Sequence, residues 1–124
     1  MEEQFGNIIK PIVLRTPFGL SYFEYDEIIM IKADKHNCVL YSTKRKSPYC
    51  IFHTISYMEN KYCNNELIRC HRSYLVNIKH IDTLVLKSRE LYLRLNIKVP
   101  LLSIECLKKI MKISEMKMKD NLLD

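Results

Sequence analysis

The sequence predicts a mainly β domain, built from small antiparallel sheets with one short helix and a C-terminal helix. Short runs rich in β-branched and aromatic residues recur along the chain, polar turn chemistry separates them, and helical spacing is confined to two places. A chain of 124 residues that is 48% apolar, with eight Tyr and four Phe, has the material for one buried core and is excluded from the disordered class.

Taken in order, Ile12-Val13-Leu14 and Leu20-Ser21-Tyr22-Phe23 flank Pro17 and Gly19 and read as an opening hairpin. Ile28–Ala33 and Cys38–Thr43 flank the polar Asp34-Lys35-His36-Asn37 and read as a second one. Lys44-Arg45-Lys46-Ser47-Pro48 then breaks the pattern before a strand at Tyr49–Phe52, and its three cations are expected to face water or a phosphate. Thr54 suits the cap of a two-turn helix with Ile55 and Met58 on its buried side, stopped at Asn64-Asn65. Residues 67–77 mix polar and apolar side chains without clean periodicity, so no element is assigned there. Leu84–Leu86 and Leu91–Leu95 read as a further hairpin around Lys87-Ser88-Arg89-Glu90, and Lys98–Leu101 as a short strand interrupted by Pro100. Ser103 suits the cap of a terminal helix with Ile104, Leu107, Ile110 and Met118 near helical spacing, fraying after about Lys117. The count is about seven strands and two helices. Residues 1–9 are expected as a flexible tail, 10–112 as the domain, and 113–124 as the helix end and tail.

No run approaches the ~20 apolar residues a membrane span needs, and the start, with Glu2 and Glu3, lacks the basic-then-apolar order of a signal peptide. A cytoplasmic protein without membrane insertion is expected. Five Cys without a C-x-x-C pair argue against a disulfide framework and for reduced, mostly packed thiols. His36-x-Cys38 and the neighbours Cys70-His71 match no usual zinc spacing. With only Gly6 and Gly19 there is no phosphate-cradling loop and no glycine-flanked nucleophile turn, so the residues argue against an enzyme and imply no cofactor.

The charge is concentrated. Residues 1–31 carry two basic and five acidic side chains, whereas residues 32–98 carry thirteen basic and five acidic, a net +8 within a chain of +6. Such a field attracts polyanions, although a basic surface can equally serve solubility. Within it, Arg69, His71, Arg72, Ser73, Tyr74 and Asn77 form one cluster, and Lys35, His36 and Asn37 lie in a separate loop. Arg can fork onto a guanine edge or a phosphate, Asn can pair with adenine, and His and Ser donate to either. The residues alone leave that reading level with a plainer one, in which His71 and Arg72 are surface residues and Tyr74 and Asn77 are packing and turn positions.

The stretch Leu67-Ile68-Arg69-Cys70-His71-Arg72-Ser73-Tyr74-Leu75-Val76-Asn77-Ile78-Lys79-His80-Ile81 resembles the signature of the LytTR family, an Arg-x-His-(Arg/Lys)-Ser-(Tyr/Phe)-(Leu/Val)-Val-Asn run followed by Ile. Asp26–Val39 is similar to the family's opening strands, the spacing to Val99-Pro100 fits, and the resemblance covers about residues 10–112. It implies a stand-alone DNA-binding domain whose loops, rather than a recognition helix, enter successive major grooves of double-stranded DNA, with two copies on repeated sites. By this resemblance His36, flanked by Lys35 and Asn37, occupies a base-reading loop, and Arg72 is a second reader beside Ser73 and Asn77. Arg69 and His71 serve phosphates or hold the loop. Family members often continue Pro-x-Ser-Arg; here Pro100-Leu101-Leu102-Ser103-Ile104 lacks that Arg, leaving the third contact to Ser103 or Lys108. Many relatives carry a receiver domain ahead of this one, for which 124 residues leave no room, so control is expected from abundance, a regulatory protein partner or the terminal helix. The alternatives are a protein-interaction module on the same fold that has lost DNA binding, and an RNA-binding domain, since basic loops with Tyr and His also stack on exposed bases.

Overall fold

The computed structural model describes residues 9–100 and 102–123, so residues 1–8 of the expected tail and Leu101 of the expected last strand lie outside the described residues. Ten strands and two helices follow in the order β1 Ile12–Thr16, β2 Gly19–Phe23, β3 Ile28–Asp34, β4 Asn37–Ser42, β5 Arg45–Ile51, α1 Ile55–Tyr62, β6 Leu67–His71, β7 Tyr74–Asn77, β8 Ile81–Val85, β9 Glu90–Leu93, β10 Ile97–Val99 and α2 Ile104–Leu123. Every paired neighbour is antiparallel, in a two-stranded sheet β1-β2, a five-stranded sheet β5-β4-β3-β7-β6 and a three-stranded sheet β10-β9-β8. The mainly β architecture of small sheets with a short and a terminal helix is as the sequence predicts.

The five-stranded sheet is the middle layer. On one face Ile31, Leu40 and Leu75 meet Ile12, Leu14 and Phe23 of the first hairpin and Ile55 and Met58 of α1. On the other, Met30, Ile68 and Val76 meet Leu91 and Leu93 of the three-stranded sheet and Cys106 and Ile110 of α2. Both faces being covered, β3 is buried at four successive positions, Ile28 to Ile31, which is why it reads as a continuous apolar run instead of an alternating one. Burying one such Ile contributes about 1.5–3 kcal/mol. Thr54 caps α1, its hydroxyl accepting from Tyr57 N, and Ser103 caps α2, its hydroxyl accepting from Cys106 N at 3.2 Å.

Three expectations are corrected. Lys44–Pro48 does not break the pattern: Arg45–Ile51 is one strand, and Pro48 is accommodated because β5 is a sheet edge, where a missing N–H leaves no ladder bond unmade. Lys44, Arg45 and Lys46 are exposed, as expected, and the first two also have local partners. The Lys44 ammonium donates to Tyr22 O at 2.8 Å and lies 4.6 Å from the Phe23 ring centroid, and the Arg45 guanidinium lies 3.7 Å from that of Tyr49 while donating to the Ser47 and Pro48 carbonyls. Residues 67–77 are a β-hairpin; a bulge between Arg69 and His71, on strands buried on both faces, removes the alternation that would have revealed it. Finally, α2 continues past Lys117 to Leu123.

All five cysteines are free, with Cys38, Cys70 and Cys106 buried. Burial pushes the Cys38 and Cys63 thiols up to about 11, away from the reactive thiolate. Among the described residues, no helix is long and apolar enough to cross a membrane.

Candidate nucleic-acid interface

Strand register decides which loops share an end of the molecule. In the β3–β4 hairpin Asp34 pairs with Asn37, leaving Lys35-His36 as a two-residue turn. Lys35 takes a left-handed φ of 57°, a conformation that costs a non-glycine residue free energy and turns the chain tightly. All four residues from Asp34 to Asn37 are exposed. In the β6–β7 hairpin His71 pairs with Tyr74, so Arg72-Ser73 is a second two-residue turn. The Ala33 amide donates to Ser73 O at 2.8 Å, tying the two turns side by side.

Two further bonds extend this end. Ser103 N donates to Cys70 O at 3.2 Å, bringing the start of α2 against β6 one residue from His71, and Leu102 N donates to Arg89 O at 2.8 Å, bringing the β8–β9 turn against the same segment. The β3–β4, β6–β7 and β8–β9 turns and the start of α2 therefore form one surface, here called the turn end. His36, Asn37, Lys35, Arg72 and Ser103 are exposed on it, and Ser73 and His71 are half-buried. Lys108 is also exposed, one helical turn into α2.

The signature residues divide by what they already hold. Arg69, half-buried, donates through Nη1 to Glu59 Oε1 of α1 at 2.6 Å, through Nε to His71 O at 2.8 Å, and through Nη2 to Arg72 O. It ties the bulged end of the hairpin to α1 and presents the Arg72 side chain outward. His71 Nδ1 accepts from Ser73 N at 3.2 Å, so the neutral ring carries its proton on Nε2 as a donor. Asn77 is a correction to the DNA-binding set. It is 1% exposed, its Nδ2 donates to Tyr25 O and Ile28 O, and its Oδ1 accepts from Lys79 N, so the folded chain has no group there for a base. The packing alternative describes Asn77, because its strand neighbours leave it inside the sheet.

Sequence reasoning missed Lys87, Ser88 and Arg89, which it read only as a hairpin turn. Only the Arg89 carbonyl is tied to Leu102, thirteen residues on, and no local pattern announces that bond. The acid beside them is spoken for: Glu90 accepts from Lys98 at 2.5 Å and from Ser88 at 2.7 Å, and the Lys98 ammonium holds its carboxyl below the usual range. Among the described residues, Lys35, Arg72, Lys87 and Arg89 have no ion-pair partner.

The opposite end is electrostatically different. Lys79 pairs with Asp26 at 2.9 Å and Glu66 at 3.0 Å, Lys10 pairs with Glu27 at 2.6 Å, and the hydrogen bond and charge of Lys79 hold the Asp26 carboxyl low. Lys10 and Lys79 are neutralised there by neighbouring carboxylates, whereas Lys44, Arg45 and Lys46 at the same end, like the cations of the turn end, have no carboxylate partner among the described residues.

The fold, the paired turns and the exposed cations define a small β-rich domain with an end that carries cations without ion-pair partners among the described residues. The family model of the LytTR DNA-binding domain matches residues 19–115, and the chain belongs to that family. No curated protein matches the chain. Among solved structures it is similar to the LytTr DNA-binding domain of a Bacillus cereus protein described as a methyl-accepting/DNA response regulator, with a TM-score of 0.68 and 18% identity over 81% of this chain and 94% of that one.

Proposed function

We propose that the protein is a sequence-specific DNA-binding transcription regulator that reads the major groove of duplex DNA with its turn end, two copies lying on repeated sites. The observation that carries this reading is the Ala33–Ser73 bond, since it sets the exposed His36 and Arg72 beside each other on two tight turns of a rigid sheet. His36, with Asn37 and Lys35, serves the first base-reading loop, and Arg72 offers a fork to a guanine edge or a phosphate. Ser73 and His71 Nε2 donate to the backbone, Ser103 supplies the third contact through its hydroxyl proton, and Arg69 holds the loop. Membership in a DNA-binding family supports duplex DNA over the protein-interaction and RNA alternatives, and the unpaired cations of this end suit its phosphates.

Selecting bound duplexes from random sequence supplies a preferred site. On it, His36→Ala and Arg72→Ala are each expected to cost about 1–3 kcal/mol and to flatten discrimination at particular base pairs, with less effect on a scrambled duplex at the same salt. Wild-type discrimination in both variants overturns the assignment of these readers. Preferential binding of the wild type to single-stranded RNA overturns the choice of partner.

A further inference from the structure

We propose that the β8–β9 turn is an additional DNA contact, in which Lys87 and Arg89 grip backbone phosphates beside the bases faced by Arg72. This rests on the reading of the turn end as the DNA-binding surface and adds to it an element that reading does not use.

Three independent features point to the turn. Its position is fixed by two backbone bonds in series: Arg89 O receives Leu102 N, and the next residue, Ser103, donates to Cys70 O beside the signature turn. The turn is thereby anchored to the rest of the surface even though it belongs to a different sheet. Its shape is that of a short, rigid presenting loop. Val85 pairs with Glu90, so four residues close the hairpin, and the last of them, Arg89, takes a left-handed φ of 56° like Lys35 in the neighbouring turn. Its charge is unspent, because the adjacent carboxylate of Glu90 is held by Lys98 and Ser88. Two cations so placed, with no ion-pair partner among the described residues, are complementary to a row of phosphates. We assign them phosphates and not bases because Arg89 is half-buried with its carbonyl fixed inward, and because Lys presents a point charge without the planar fork that discriminates base edges.

The test uses the full chain with Lys87→Gln, Arg89→Gln and the double variant, titrated against the preferred and a scrambled duplex at several salt concentrations. Both backbone bonds survive these substitutions, and a thermal melt confirms that each variant is folded. Each lost phosphate contact is expected to make the slope of log K against log salt shallower by about 0.9, which at 0.1 M salt is roughly an eightfold loss of affinity relative to 1 M. The double variant should therefore lose on the order of 60-fold, equally on both duplexes. Arg89→Lys should restore its share, and Lys46→Gln, removing one charge at the other end, should leave the slope alone. A double variant that matches wild type in slope and affinity overturns the proposal. So does a loss confined to the preferred duplex at unchanged slope, which would make the turn a base reader. If instead wild type binds duplex DNA with no salt dependence, the reading of the whole turn end fails, and this proposal falls with it.

Discussion

Asn77 joins three backbone segments through one carboxamide: its Nδ2 serves the carbonyls of Tyr25 and Ile28, and its Oδ1 receives Lys79 N as the chain leaves β7. These bonds weld the short 3-10 turn before β3 to the end of β7, at the end of the sheet away from the candidate interface. Truncation takes a bond from the buried Ile28 carbonyl and from the part-buried Lys79 amide, at roughly 1–3 kcal/mol for each that stays dry, while Tyr25 O keeps the Ile28 amide as a donor. Asn77→Ala should therefore lower the unfolding free energy by about 2–4 kcal/mol in a urea titration, while protein that remains folded binds DNA with wild-type affinity and salt slope. Asn77→Asp should be worse at neutral pH, because it sets a carboxylate against two carbonyl oxygens. Wild-type stability coupled to weakened DNA binding would return Asn77 to the contact set.

At the scale of the element, the β6–β7 hairpin is the part of the domain that needs external support. Its bulge leaves the ladder irregular between Arg69 and His71, and Arg69 compensates by tying the His71 and Arg72 carbonyls to Glu59 of α1. A residue that holds a loop and one that touches a phosphate differ in salt dependence. Arg69→Met, like Arg72→Ala, is expected to reduce discrimination between preferred and scrambled duplexes, while leaving the slope of log K against log salt unchanged. A slope shallower by about 0.9, with equal losses on both duplexes, would make Arg69 a phosphate contact. This hairpin also marks where the sequence becomes illegible. Turns written in local chemistry, such as Asp34-Lys35-His36-Asn37, and caps such as Thr54, which needs only the amide three residues on, are visible in the chain itself. The β6–β7 strands are not, because layers on both sides erase their polar face and the bulge shifts the period. Pro48 misled because only the sheet order shows β5 to be an edge. Of the candidate site, the proposed readers His36 and Arg72 are identifiable by type and by family resemblance, whereas the place of Arg89 depends on a bond to Leu102 that no local spacing encodes.

For the whole molecule, the two ends of the five-stranded sheet make opposite predictions. β4 runs from Asn37, beside the His36 turn, to Ser42, beside Lys44, six residues at ~3.3 Å each, so the turn end and the Lys44-Arg45-Lys46 segment lie roughly 20 Å apart. A duplex held on the first cannot lie flat on the second. If Lys35, Lys87 and Arg89 each meet a phosphate while Arg72 faces bases, the slope of log K against log salt should be roughly −3 per bound copy. The Lys44-Arg45 pair should be silent in that measurement, because its cations already lie over Phe23 and Tyr49 and are bonded to backbone carbonyls. What those residues contribute is stability: a cation over an aromatic face at an exposed site contributes about 0.5–1 kcal/mol. Lys44→Gln with Arg45→Gln is thus expected to lower the unfolding free energy by about 1–2 kcal/mol, a fall of several degrees in Tm for a domain of this size, with affinity and slope as in wild type. Thermal melts and salt titrations on one preparation of the double variant separate the two effects. A slope shallower by about 1.8 at unchanged Tm would show that DNA reaches the far end, and the assignment of reading to one end of the sheet would have to be abandoned.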